Sequence, residues 1–145
     1  MSLISFSLDQ HNLPVFQVED PEYRSLGAWL ILDISVYYDV CLDALADVDD
    51  VGHGQPIDQW DSEHFDVTIN AAGITFVNYH VDESGSYSLA DFRDALENYW
   101  RFLVSRPETP GIVRQYWPDL PLWQADLLQW EQRNGRPHPY RGRLF

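Results

Sequence analysis

Residues 64–81 constrain the fold most strongly, because their pattern predicts a β-hairpin. The segment HFDVTI (64–69) alternates apolar and polar residues, which is typical of an antiparallel strand with one buried face. The segment ITFVNYHV (74–81) is rich in the β-branched and aromatic residues that strands favour. Between them NAAG (70–73) supplies a turn in which Gly73 is free to take a positive φ. We therefore expect an antiparallel sheet centred on this hairpin.

A long amphipathic helix is predicted ahead of the hairpin. Asp20 and Pro21 suit the N-cap and the first helical position, and the helix should run from about Glu22 to Val48, with Gly27 as a weak point. Its apolar residues recur at spacings of three and four: Leu30, Ile34, Tyr37, Cys41, Leu45 and Val48. The opposite face carries aspartates: Asp39, Asp43, Asp47 and Asp50. We expect the apolar face to pack on the sheet and the aspartates to lie in solvent.

Two more helices are predicted after the hairpin. Ser88 caps the first, residues 89–105, whose buried positions are Phe92, Leu96, Tyr99 or Trp100, and Leu103. The second begins near residues 119–121 and runs to Arg133, with Gly135 just beyond its end and an apolar stripe of Leu120, Trp123, Leu127 and Trp130. The tail RPHPYRGRLF is basic and aromatic, so it either crosses the domain surface or projects toward a partner.

The pattern as a whole predicts an α+β fold. A small antiparallel sheet, with its central hairpin at about 64–81, is packed by three helices. Residues 4–8 and 14–18 read as two short strands, and residues 82–86 as a loop. A chain of 145 residues suits one domain over residues 1–145, which ends in a basic, aromatic helix and tail at about 117–145.

The charge of the chain narrows the classes of partner. Its net charge is −14, and all nine basic residues are arginine. Residues 1–104 hold 19 acidic residues against three arginines (−16), whereas residues 105–145 hold four against six (+2). Such a field repels nucleic acid and anionic membranes and attracts basic proteins. A simpler interpretation is that the acidity only keeps the protein soluble.

The aspartates of the first long helix are the candidate partner-binding residues, and we call them the acidic ridge: Asp39, Asp43, Asp47, Asp49 and Asp50. Like charges four residues apart destabilise a helix by about 0.2–0.5 kcal/mol per pair, and a helix C-terminus favours cations rather than acids. Local rules are broken most often where function requires it. Arginines of a partner would form strong charge-assisted hydrogen bonds with such a ridge.

The sequence contains no catalytic signature. Cys41 is the one cysteine and reads as a small buried thiol, which favours a reducing, cytoplasmic compartment. The N-terminus has no basic segment of the kind that starts a signal peptide, and no window approaches the ~18 apolar residues of a membrane span.

His53 and His64 lie among carboxylates without the spacing of a zinc or calcium site, and His80 beside Asp66 is a weak catalytic candidate. We expect no catalytic residue, metal or cofactor.

One family resemblance rests on the order of elements and on residues 87–103, which read Y-S-L-x-D-F…L-x-x-Y-x-x-F-L. Over roughly residues 22–104 the chain resembles small immunity proteins of bacterial toxin systems, such as those of contact-dependent growth inhibition. The resemblance implies a cytoplasmic, non-enzymatic inhibitor that binds one basic toxin domain, often a nuclease. It assigns no functional residue, and the ridge and the C-terminal segment both stay open as the interface.

Two other functions fit the charge or the composition. An acidic mimic of DNA would bind a host nucleic-acid-binding protein through the same negative field. A small metal-binding domain would instead use His53 and His64 with the carboxylates near them: Asp49, Asp50, Asp58, Asp61 and Glu63. A small enzyme would need a deep pocket that holds His80 with paired carboxylates.

Overall fold

The structure is a computed structural model that describes residues 3–80, 84–111 and 113–145. Its fold is α+β, as predicted, with two small antiparallel sheets and four α-helices in the described residues. The strands are β1 (Ile4–Leu8), β2 (Pro14–Val18), β3 (Phe65–Asn70), β4 (Gly73–Asn78) and β5 (Ser84–Tyr87). The helices are α1 (Arg24–Trp29), α2 (Tyr38–Gly52), α3 (Leu89–Ser105) and α4 (Leu122–Asn134).

The predicted central hairpin is confirmed. Strands β3 and β4 pair antiparallel from Phe65 opposite Asn78 to Asn70 opposite Gly73. Residues Val67 and Phe76, which face each other across the pair, are buried. A side chain at Gly73 would place its Cβ within 2.1 Å of the Tyr87 carbonyl oxygen, so only glycine fits the turn.

A third strand, β5, joins the hairpin, so the predicted loop at residues 82–86 is wrong for residues 84–86. Strand β5 pairs with β4, and the Thr75 and Ser86 hydroxyls lie 2.9 Å apart across that pair. The polar SGS segment has no strand pattern of its own. It forms a strand because the free edge of β4 offers backbone groups for hydrogen bonding. Residues 81–83, which belong to the predicted second strand and loop, lie outside the described residues.

The predicted strands at residues 4–8 and 14–18 are confirmed, and they form a separate two-stranded sheet. This sheet packs on α1 through Phe16. A Cβ on Gly27 would come within 2.4 Å of Phe16 Cδ2. Gly27 was predicted as a weak point of the helix. Its missing side chain lets the sheet of β1 and β2 approach the backbone of α1.

The predicted continuous helix over residues 22–48 is wrong. A 3-10 turn (Pro21–Tyr23) leads into α1, a π-helix spans Leu30–Ile34, and the chain then turns before α2. Ser35 has φ 53°, and Tyr37 N donates to Ile34 O at 3.1 Å across the turn. The turn resets the helical phase, so Tyr37, predicted to be buried, is 58% exposed and Tyr38 is buried instead.

Helices α2 and α3 form the centre of the core, and α4 packs on the other side of α2. The N-cap of α3 is as predicted, with Ser88 Oγ accepting from Asp91 N at 3.1 Å. Helix α4 ends at Gly135, whose φ of 67° closes it, and its first amide, Leu122 N, donates to Glu108 Oε1 at 2.9 Å. Of the two courses open to the tail, the structure shows the first: residues 135–145 return across α2 and α4, with His138 and Tyr140 buried.

Candidate functional site

The acidic ridge is not a single face in solvent. Asp39 is exposed and makes no side-chain hydrogen bond to any other described residue. Asp43 is also exposed, Asp47 and Asp50 are partly buried, and Asp49 keeps only 9% of its surface exposed. The solvent ridge expected from the helical periodicity is thus wrong for the C-terminal half of α2, because other parts of the chain cover it.

Helix α4 covers the middle of the ridge. Trp130 Nε1 donates to Asp43 Oδ1 at 2.8 Å, and Arg133 Nη2 lies 3.2 Å from the same oxygen. The side chains of Arg133 and Asp43 are each more than half exposed, so their ion pair contributes little by itself. The indole hydrogen bond and the packing of Trp130 in the core fix the position of the carboxylate.

The tail covers the C-terminal end of the ridge. Arg143 Nη1 lies 2.8 Å from Asp49 Oδ1, and Arg136 Nη2 lies 3.0 Å from Asp50 Oδ2. These arginines bring positive charge to a helix C-terminus that has no basic residue in its own last turn. Here, arginines from the basic last part of the chain therefore pair with aspartates from its acidic first part, within the same molecule.

Asp47 is held from the loop that follows α2. Trp60 Nε1 donates to Asp47 Oδ2 at 2.7 Å. Burial raises the pKa of the Asp47 carboxyl above its usual value, and the hydrogen bond from Trp60 opposes this effect only in part. The charges of Asp43, Asp50 and Asp58 raise this pKa further. Asp47 is therefore a carboxylate in a strongly negative surrounding.

An open groove of about 420 Å³ lies beside Asp47, between α2, the π-helix and residues 58–61. We call it the acidic groove, after its five aspartates: Asp33, Asp43, Asp47, Asp58 and Asp61. No arginine or histidine is among the residues that line it. Asp43 and Asp47 come from the predicted ridge, whereas the other three come from segments that the sequence analysis did not join to it.

Two stacked indoles form the aromatic wall of the groove. The Trp29 and Trp60 rings lie 5.3 Å apart with an angle of 5° between their planes. Trp29 is buried in the core and Trp60 is partly exposed, so the stack attaches the loop of residues 58–61 to α1. An aromatic surface next to carboxylates suits the planar, cationic guanidinium group.

Asp33 is the groove residue with the least satisfied side chain. It lies in the π-helix, and its Oδ2 atom is buried with no hydrogen-bond partner among the described residues. Burial raises the pKa of the Asp33 carboxyl, and the nearby side chains of Ser62, His64 and Trp29 lower it by less. The sequence analysis missed Asp33 because a continuous helix would place it about 21 Å from Asp47 along the helix axis.

The arrangement suits binding of a cation, and Cys41, His80 and Asp66 are not among the residues that line the groove. Cys41 is fully buried, and burial raises the pKa of its thiol. His80 lies beyond the end of β4 with its ring 5.9 Å from that of His64, while Asp66 stands opposite Val77. Within residues 3–80, 84–111 and 113–145, no three histidine, cysteine or acidic side chains are grouped as metal ligands would be.

Comparisons with models of protein families, with curated proteins and with solved structures found no match to this chain. In the part of the chain that the structure describes, no helix has the length and apolar character needed to cross a bilayer.

Proposed function

We propose that the protein is an immunity-type inhibitor that acts in the cytoplasm and binds a basic toxin domain, such as a nuclease, through its acidic groove. The observation that carries the proposal is a groove lined by five aspartates and two tryptophans and by no cation. The family resemblance of residues 22–104 and the net charge of −14 support the same class of partner.

The groove is the better contact because its carboxylates are not all neutralised within the molecule. Asp49 and Asp50 already pair with arginines of the tail, so a partner would have to displace those arginines first. Asp58 and Asp61 are exposed and make no ion pair with any described residue. Asp39, Asp58 and Asp61, together with the open sides of Asp43 and Asp47, form the proposed binding surface.

The chemistry of the groove fits an arginine or lysine side chain of a protein partner. A guanidinium that enters it would form hydrogen bonds with the carboxylates that line it and would lie near the Trp60 ring. Charge-assisted hydrogen bonds of this kind contribute about 1.5–3 kcal/mol each. A toxin nuclease presents such cations because it must hold phosphate groups. Its inhibitor can therefore compete for the same surface.

The test uses the gene next to the one that encodes this chain. The proposal predicts a large secreted protein with a basic C-terminal domain, and it predicts that this domain binds the purified chain in calorimetry. Reversal of the exposed groove charges, Asp58→Lys with Asp61→Lys, should weaken binding by about tenfold or more, with a strong dependence on salt.

The matched control reverses two exposed charges outside the groove, Asp66→Lys with Asp94→Lys, which alters the net charge equally. This control should retain most of the affinity. Equal loss in the two double variants would mean that the overall charge, not the groove, drives association. Absence of a basic toxin domain, or similar binding to several unrelated DNA-binding proteins, would refute the inhibitor and favour the DNA mimic.

A further inference from the structure

The tail that crosses the acidic ridge is centred on a buried histidine. His138 is 2% exposed, and its ring lies 4.4 Å from that of Trp130 and 5.2 Å from that of Phe145. We call residues 135–145 the strap. The strap covers Asp49 and Asp50 through Arg143 and Arg136, so the protonation state of His138 affects two of the five aspartates of the ridge.

Both ring nitrogens of His138 have partners that define its tautomer. His138 Nε2 lies 2.8 Å from the Leu42 carbonyl oxygen, which only accepts, so Nε2 carries the hydrogen. His138 Nδ1 lies 3.1 Å from Tyr140 N, which only donates, so Nδ1 offers its lone pair. The neutral ring satisfies both contacts. A proton on Nδ1 would point at the Tyr140 N–H and break the second one.

We propose that His138 is an acid-sensitive latch: a proton taken up by Nδ1 releases the strap from α2 and α4 and uncovers Asp49 and Asp50. The carboxylates of α4 and α2 do not offer the charged ring a direct partner. Glu131 Oε2 accepts from the backbone N of His138, and Glu131 also pairs with Arg141. Asp43 is held by Trp130 and Arg133.

The remaining charged groups around the strap are also engaged. Glu97 of α3 accepts from the Tyr140 hydroxyl, and Arg143 lies 4.3 Å above the Tyr140 ring. Burial is the largest influence on the pKa of His138 and lowers it, with Arg136 acting in the same direction. The Leu42 carbonyl, Glu131 and Asp43 raise this pKa by less, so the pKa of His138 lies below the usual value of 6.5.

The sign of the effect follows from this shift. Because the folded protein binds the His138 proton more weakly than the open strap does, closure is fully favoured above a pH of about 6.5 and is lost as the pH falls toward the folded pKa. Opening is local because residues 135–145 form turns outside the helices and strands, and most of them have exposed side chains.

The test follows backbone amide exchange by NMR in the full chain, corrected for intrinsic rates. The probes are the strap amides of Tyr140 and Leu144, compared with Leu45 inside α2. Between about pH 7.5 and about pH 5.5, protection of the strap amides should fall, with a limiting slope of about tenfold per pH unit, while Leu45 stays protected. The variant His138→Gln, which has no titrating ring, should abolish this pH dependence. His11→Gln, at an exposed histidine, should leave it unchanged.

Strap protection that is flat over this range in the wild type would overturn the latch, as would a pH dependence that persists in His138→Gln. If His138→Gln opens the strap at every pH, the exchange of its amides no longer reports on the histidine. The test is then the titration of the His138 ring in the wild type, followed by its nitrogen chemical shifts. Nitrogen chemical shifts of His138 in the wild type should show the tautomer with hydrogen on Nε2 and a pKa below the usual value of 6.5. A pKa of His138 at or above 6.5 would refute the proposal.

Discussion

Trp60 Nε1 lies 2.7 Å from Asp47 Oδ2, so an aspartate that helical periodicity assigns to solvent is held by the loop that follows the helix. The same pattern recurs one turn earlier, where Trp130 Nε1 donates to Asp43. Two indole donors on two different segments thus organise the acidic side of α2. They let the helix carry stacked aspartates, because at least these two carboxylates form hydrogen bonds within the fold.

Removal of the Trp60 donor should destabilise the protein. In Trp60→Phe the ring still stacks on Trp29, but Asp47 Oδ2 loses its hydrogen bond in a partly buried site. We expect the free energy of unfolding to fall by about 1–3 kcal/mol, measured by urea denaturation. The control Trp117→Phe alters an indole that forms no hydrogen bond with the described residues and should change stability little. Equal losses in both variants would contradict the role of the Trp60–Asp47 bond.

Neutralisation of Asp47 should stabilise the protein at neutral pH. Burial raises the pKa of Asp47, so the native state binds this proton more tightly than the unfolded chain does, and stability decreases as the pH rises through and above the usual value of 3.8. Asp47→Asn keeps an oxygen that accepts from Trp60 and removes the charge. We expect a gain in the free energy of unfolding at neutral pH that disappears in strong acid.

Asp39→Asn is the control for this prediction, because it removes one exposed charge from the same helix face. Urea denaturation at several pH values should show little or no gain for this variant. A loss of stability in Asp47→Asn at neutral pH would show that the hydrogen bond to the charged carboxylate outweighs its burial.

The contact between Arg143 and Asp49 should contribute to stability and to strap closure together. Arg143→Ala leaves Asp49 at 13% side-chain exposure without that guanidinium, although His53 remains 3.4 Å away. Because Arg143 itself is 49% exposed, we expect a loss of only about 1–2 kcal/mol in the free energy of unfolding. A double-mutant cycle with Asp49→Asn measures the coupling directly.

Arg24→Ala is the control, since Arg24 is exposed and forms no ion pair with the described residues. A coupling energy near zero in the cycle would mean that Arg143 acts through its stacking on Tyr140 and not through Asp49.

The elements that follow from local patterns were predicted well. The alternation of Phe65 and Val67 was sufficient for β3, and Ser88 marked the start of α3, because both signals arise from residues close together in the chain. The charge asymmetry between residues 1–104 and 105–145 was also visible in composition alone. These features depend on periodicity, capping and counting, which need no knowledge of the fold.

The turn at Ser35 could not be predicted, because its partners lie far away in sequence. The hydroxyl of Tyr99 donates to Ser35 O, and Arg106 Nη2 donates to Val36 O at 3.2 Å. These contacts from α3 and the residue after it stabilise a positive φ at a serine. The turn then sets the phase of α2 and brings Asp33 toward Asp47 in one groove.

The pairing of charges was equally beyond local reasoning. Arg136 and Asp50 are separated by 86 positions, and Arg143 and Asp49 by 94, so only the packing of α4 and the strap on α2 brings them together. Composition shows that most acidic residues lie in residues 1–104 and most arginines in residues 105–145. Which carboxylates become paired, and which stay free to line a groove, depends on long-range contacts that burial of the core imposes.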